Sequence, residues 1–209
     1  MSNSKRDKPL LFIHGYMDVC YTPWWNSLEK SLDTLGFDTD RIRRVNLGKL
    51  PGTTVGSPRR YAEKVREEVE RMYDDHGEVS IVAHSMGGIS SRLYLEKMGG
   101  NELVNSLTTL GTPHRGTYAA YVGFFSKGGR NLTPNSDLVE ELEESKLAEG
   151  VRYNSVWGKL DALVVPKTSA RLKDDRETRE DVNNISAGPY GHIELVLRRS
   201  VLGKYCPFI

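Results

Sequence analysis

Short apolar runs alternate along this chain with longer stretches in which apolar residues recur every three or four positions. The short runs Leu10–His14, Ile42–Asn46, Val79–Ala83, Val104–Leu110, Val151–Val156 and Val182–Ser186 are read as strands covered on both faces. Trp24–Leu35 carries Trp25, Leu28, Leu32 and Leu35 at helical spacing. In Arg59–Tyr73 the residues Ala62, Val65, Val69, Met72 and Tyr73 form one stripe among charges, behind an N-cap serine, Ser57, and a first-turn proline, Pro58. A third helix, Met86–Met98, follows the third run directly and stops at Gly99–Gly100; a fourth, Ile193–Leu202, closes the chain. Strands alternating with helices predict one α/β domain on a mostly parallel sheet of about six strands, with helices on both faces. The rhythm breaks from Gly116 to Gly150, where aromatics and glycines give way to a polar stretch and one more helical pattern, Leu138–Leu147.

Composition narrows the picture mainly by exclusion. With 209 residues the chain builds a sizeable core within one domain. Lys plus Arg number 29 and Asp plus Glu 28, which leaves no basic footprint for nucleic acid or an anionic membrane. The densest early apolar run ends at His14, far short of the roughly 20 residues a membrane helix needs. It is also too short for a signal-peptide core, although Lys5, Arg6 and Lys8 precede it. The expectation is a cytoplasmic monomer if the chain is complete, or a secreted one if an export signal has been removed. Cys20 and Cys206 lie near opposite ends and are expected to be reduced. Metal-ligand and phosphate-loop spacings are absent, so no cofactor is expected.

The sharpest chemical signal is Ala83-His84-Ser85-Met86-Gly87, between a strand and a helix. It matches the nucleophile elbow Gly-x-Ser-x-Gly, with alanine in the first glycine position. The turn is so tight that only small residues fit two places before and after the serine. Ser85 would then sit at a helix N-terminus, where backbone N–H groups point at a developing oxyanion. One donor would be Met86, the residue after the nucleophile. The second would come from the loop after the first strand, His14-Gly15-Tyr16, through the Tyr16 backbone. Of five histidines, His192 lies in a glycine-rich loop after the last strand, where the order Ser, Asp, His places the general base. His84 adjoins the serine but should point away from it; His14 belongs to the oxyanion loop, His76 reads as a surface cap, and His114 follows a strand near the site. The acid must fall between Ser85 and His192 and follow a strand. Asp161 does both; Asp137, Asp174, Asp175 and Asp181 are its rivals.

These residues resemble the small bacterial lipases of the α/β-hydrolase fold. The pieces that match are Ile13-His14-Gly15-Tyr16, Val82 to Gly88 across the elbow, Leu107 to Gly116, Asp161 to Pro166, and Gly191-His192-Ile193, in family order along nearly the whole chain. The alanine before the His-Ser-Met-Gly-Gly run is itself typical of that group. The resemblance implies a single α/β-hydrolase domain, a triad of Ser85, Asp161 and His192, oxyanion donors at Tyr16 and Met86, and hydrolysis of carboxylic esters, including acylglycerols and similar lipid esters. The same triad would serve an acyltransferase or thioesterase. Residues 117–150 form a longer insertion than the smallest relatives carry, which suggests a short cap or acyl pocket with Tyr118, Tyr121, Phe124 and Phe125 against the substrate and the neighbouring glycines as hinges. The competing expectation for that segment is a core helix, Thr117–Phe125, with its aromatics packed on the sheet.

Overall fold

In the computed structural model, which describes residues 8–173 and 179–209, all six expected strands form. They are β1 (Leu10–Ile13), β2 (Ile42–Val45), β3 (Val79–His84), β4 (Val104–Leu110), β5 (Arg152–Gly158) and β6 (Val182–Gly188). They make one parallel sheet in the order β2-β1-β3-β4-β5-β6. The principal helices are α1 (Pro23–Thr34), α2 (Pro58–His76) and α3 (Met86–Lys97), joined by the shorter α4 (Lys127–Asn131), α5 (Asp137–Glu144), α6 (Glu194–Leu197) and α7 (Arg199–Tyr205).

Side chains alternate across each strand, so the sheet builds two cores. Leu11 and Ile13 of β1 join Val65, Val69 and Met72 of α2, Ile89 and Leu93 of α3, and Leu138 and Leu142 of α5 on one face. Leu10 and Phe12 face the other way, toward Trp25, Leu28 and Leu32 of α1, Leu195 and Val196 of α6, and Val201, Leu202 and Tyr205 of α7. β1 and β3 are buried on both faces, which is why they read as nearly continuous apolar runs, whereas the edge strands β2 and β6 keep partly exposed polar residues.

Two expectations need correction. The closing helix is two, because Arg198 between them is extended (φ −87°, ψ 120°). Leu195–Val196 and Val201–Leu202 are six residues apart, about 240° around a straight helix; the break lets both pairs face the sheet. The segment at Thr117–Phe125 is not a core helix. Tyr118–Gly123 is a 3₁₀ turn on the surface, with Tyr118, Tyr121, Val122, Phe124 and Phe125 exposed. The glycines that follow serve close approach. A Cβ on Gly129 would lie 1.9 Å from the Gly123 carbonyl oxygen, and one on Gly128 2.7 Å from that of Gly56. Short α4 had no sequence signal, since Lys-Gly-Gly-Arg-Asn is a poor helix former; the Ser126 hydroxyl caps it by accepting from Gly129 N–H.

The strand order reverses between β1 and β3, since β1 leads outward to β2 on one side and is flanked by β3 on the other. In open parallel sheets the crevice beyond the strand ends at such a point is where ligands bind. Every sequence-predicted triad or oxyanion residue lies at that end of the sheet.

Candidate active site

The elbow is built as its spacing requires. Ser85 follows β3 and caps α3 with φ 53° and ψ −124°, one of three non-glycine residues with positive φ among those described. Such a conformation costs on the order of 1–3 kcal/mol and persists only when its surroundings enforce it. Here Ser85 N–H donates to the Leu110 carbonyl at 2.9 Å, and the Thr112 hydroxyl donates to the Ser85 carbonyl at 2.8 Å. Gly87 is obligatory: a Cβ there would come within 2.6 Å of the His14 carbonyl oxygen. Ser85 itself is partly exposed.

Parallel pairing brings the second loop alongside. Ile13 of β1 is in register with Ala83 of β3, so His14-Gly15-Tyr16 leaves the sheet beside the serine. A Cβ on Gly15 would sit 2.8 Å from Ser85 Cβ. His14 is fully buried and fixes this loop. Its Nε2 accepts from Leu47 N–H at 2.8 Å, so Nδ1 carries the proton and donates to the Gly15 carbonyl at 3.1 Å. Burial holds the His14 ring below its ordinary pKa, which keeps that tautomer neutral. In a trans peptide N–H points opposite to C=O, so pinning the Gly15 carbonyl also aims the Tyr16 N–H. Neither the Tyr16 nor the Met86 N–H has a hydrogen-bond partner among the described residues. Asp18 anchors the far end of the loop, accepting from the indoles of Trp24 (3.1 Å) and Trp25 (3.2 Å).

Asp161 follows β5 and His192 follows β6, and the two meet. His192 Nδ1 lies 2.7 Å from Asp161 Oδ2, with both side chains nearly buried. The other carboxylate oxygen accepts from the N–H groups of Leu163 (2.9 Å) and Val164 (3.1 Å), which locks the rotamer. Gly111, at φ +59°, makes room: a Cβ there would be 2.9 Å from Asp161 Oδ2 and 3.0 Å from His192 Nδ1. No hydrogen bond joins Ser85 Oγ to His192 among the described residues; such contacts commonly tighten only with substrate bound.

Of the rival acids, Asp137 and Asp181 lie elsewhere. Asp137 opens α5, and Asp181 is paired at 2.6 Å with Arg179, whose guanidinium holds its carboxyl below the usual range. Asp174 and Asp175 lie outside the described residues, as do Lys5 and Arg6. His114 is buried behind the site, its Nε2 near the hydroxyls of Thr109 and Ser155. His84 is the residue whose place sequence reasoning missed: it does point away from Ser85, but its ring lies against that of His192. Thr112, Gly111 and Asp18 were also missed, having no recognisable spacing to the elbow.

The aromatic segment reaches the site through Tyr16. Tyr16 Oη lies 2.8 Å from Ser126 Oγ, and a Cβ on Gly123 would meet that same Oη at 2.8 Å. Thr117 bridges to the loop after Asp161, donating from its hydroxyl to Leu163 O and accepting from Val165 N–H. Tyr118, Tyr121 and Phe124 stack in sequence, with ring centroids 6.4 and 5.9 Å apart. Cys20 and Cys206 are thiols. Among the described residues no His, Cys, Asp and Glu side chains are grouped to hold a metal ion, and no helix is long and apolar enough to cross a membrane.

A parallel sheet with a strained serine after β3, an Asp–His pair after β5 and β6, and open N–H donors after β1 defines an α/β hydrolase. The palmitoyl protein thioesterase family model matches residues 9–156, and the chain belongs to that family of ester-bond hydrolases. The fold is shared with solved structures of low sequence identity. A mature-form lipase of Bacillus licheniformis, BlEst2, superposes with a TM-score of 0.78 at 15% identity, over 97% of this chain and 91% of that one. Lipase B of Aspergillus fumigatus gives 0.74 at 15% identity over 91% of this chain, which spans 49% of the fungal protein. The Pyrococcus furiosus esterase Pf2001 gives 0.61 at 14% identity, over 91% and 77% of the two chains.

Proposed function

We propose that Ser85 is the nucleophile, His192 the general base and Asp161 the orienting acid of a hydrolase that cleaves fatty or other apolar carboxylic esters through an acyl-enzyme. The observation that carries the reading is the 2.7 Å contact of His192 Nδ1 with a carboxylate locked by two backbone N–H groups. With Nδ1–H given to Asp161, the Nε2 lone pair of His192 is free to take the Ser85 proton as the hydroxyl attacks the carbonyl carbon. The oxyanion collects the Tyr16 and Met86 N–H bonds, each donor worth about 3 kcal/mol of barrier. The imidazolium then protonates the departing group, and water repeats the sequence on the acyl-enzyme. The exposed ladder of Tyr118, Tyr121, Phe124 and Phe125 supports an apolar acyl group, since each buried methylene is worth about 0.8 kcal/mol.

Family membership favours a second reading, in which the leaving group is a thiol. The same machinery serves both, because the acyl half and its intermediate are identical. One set of assays decides. Matched oxygen and thiol esters of one acyl chain are hydrolysed by wild type and by Ser85→Ala, beside labelling with a fluorophosphonate. Wild type should be labelled once, at Ser85, and Ser85→Ala should lose both activities with its fold intact. Activity that survives in that variant, or a label elsewhere, overturns the nucleophile. A kcat/KM that favours the thiol ester in excess of its higher intrinsic reactivity selects the second reading.

A further inference from the structure

The residue before the nucleophile has no part in the reaction as drawn, yet it touches the base twice. His84 ends β3 and is buried. Its ring centroid is 4.4 Å from that of His192, with the planes inclined by 49°. Its Nε2 is 3.2 Å from the His192 carbonyl oxygen. A carbonyl only accepts, so His84 Nε2 carries the proton. Its Nδ1 is buried without a partner. A second proton there would place a cation in a dry site against the base; burial first, then the proximity of His192, hold the His84 pKa well below its ordinary value. The ionisable groups that face the pair are Asp161 on His192, and His192 and, less strongly, His14 on His84.

His192 needs such a contact. It stands on the loop between β6 and α6, with Gly188 at φ +104° before it and Gly191 next to it. Asp161 holds one edge of the imidazole, but a ring held at a single nitrogen can still pivot about that hydrogen bond. The His84 ring closes that pivot from one side, and its N–H holds the backbone from which the base projects. Because His84 is covalently next to Ser85, both contacts are referenced to the nucleophile.

We propose that His84 is a positioning residue for the base: its Nε2–H anchors the His192 carbonyl and its ring supports the His192 imidazole, so that base and nucleophile are held in register from one strand. The proposal rests on Ser85 and His192 being nucleophile and base. His84→Ala removes both contacts, while His84→Gln retains a donor of similar reach without a titrating ring. With a soluble short-chain ester, His84→Ala should lower kcat about 10- to 100-fold, the size of loss that misplacement by about 1 Å produces. KM should stay within about threefold, and fluorophosphonate labelling should slow in parallel. The rising limb of the kcat–pH profile should move to higher pH, because water admitted beside His192 favours its imidazolium. His84→Gln should recover most of the rate.

A wild-type kcat and pH limb in His84→Ala would overturn the proposal, as would a Gln variant no faster than Ala with an unshifted limb, the mark of packing alone. If neither variant folds, ¹⁵N-histidine NMR of the wild-type enzyme decides. His84 should hold the neutral Nε2–H tautomer from about pH 5 to about pH 8, and an Nδ1–H tautomer or a titrating His84 contradicts it. Ser85→Ala and His192→Ala run beside these keep the two readings apart. Inactive controls with an unaffected His84→Ala sink only this inference, whereas an active control sinks the nucleophile–base reading itself.

Discussion

Asp161 illustrates how much a single side chain carries at this site. Three donors fix its carboxylate, and only one of them is the base. Asp161→Asn retains the shape but presents an amide to His192, which invites the wrong imidazole tautomer. The expected result is a fall in kcat of up to about 10⁴-fold with little change in KM, read by steady-state kinetics on a soluble ester. A near-wild-type rate would return the acid to its rivals, Asp174 and Asp175 among them. The candidate residues of direct chemistry were legible because chemistry restricts them: the elbow tolerates few residues, and chain order favours His192 as the proposed base. The residues that orient them were not. Thr112 and His84 act through contacts between segments distant in sequence, His84 also through a direction that a linear string does not encode, and Asp18 acts through two nearby indoles that form no recognisable motif. His14 was placed on the right loop, but its function there, pinning the Gly15 carbonyl through a tautomer set by Leu47, needs the partner strand in place.

At the level of elements, the informative case is the aromatic segment. Nine residues rich in Tyr, Val and Phe suit a buried helix and an exposed shelf equally well, since both are apolar. The structure has the shelf, with Phe124 49% and Phe125 78% exposed. Phe124→Ala and Phe125→Ala should therefore change stability by less than about 1 kcal/mol, against the 3–5 kcal/mol that truncating a core phenylalanine costs. If the shelf receives the acyl chain, the same variants should shift preference toward shorter esters. Denaturant midpoints and a chain-length series of kcat/KM check the two halves separately; an unchanged preference would leave the shelf without a role in substrate binding. The closing helix shows the other kind of failure. Its apolar residues are correctly spaced for burial but not for one straight axis, and the sheet they pack on decides where the chain bends.

Across the whole molecule, three buried histidines make stability depend on pH. His14, His84 and His114 all have pKa values pushed down, chiefly by burial, and the latter two well below the ordinary value near 6.5. As pH falls through 6.5 the unfolded chain takes up protons that the folded one refuses, so stability is complete above that value and declines below it. Each such group contributes a slope of up to about 1.4 kcal/mol per pH unit until its folded pKa is reached. Glu141 beside Arg59 and Asp181 beside Arg179 have lowered pKa values, so their share is present above the ordinary carboxylate range and is lost only as pH falls below it. Urea midpoints should thus drop between pH 6.5 and 5, before carboxylates titrate. A flat midpoint over that interval would contradict neutral burial of these rings.

By itself the sequence determined the six-stranded parallel sheet, the principal helices and the identity of the candidate nucleophile, base and acid. Those features are written in local terms: apolar runs and periods, a steric demand for small residues at one turn, and a fixed chain order of chemical types. The tertiary structure alone decided that β1 and β3 lie in register so that the loops after them lie side by side, and that His84 rests against His192. It alone decided, too, that the aromatics of Tyr118–Phe125 stay on the surface. Each of these is a relation between segments far apart in the chain, set by which faces must be buried together, and apolarity at one position does not say which neighbour will cover it.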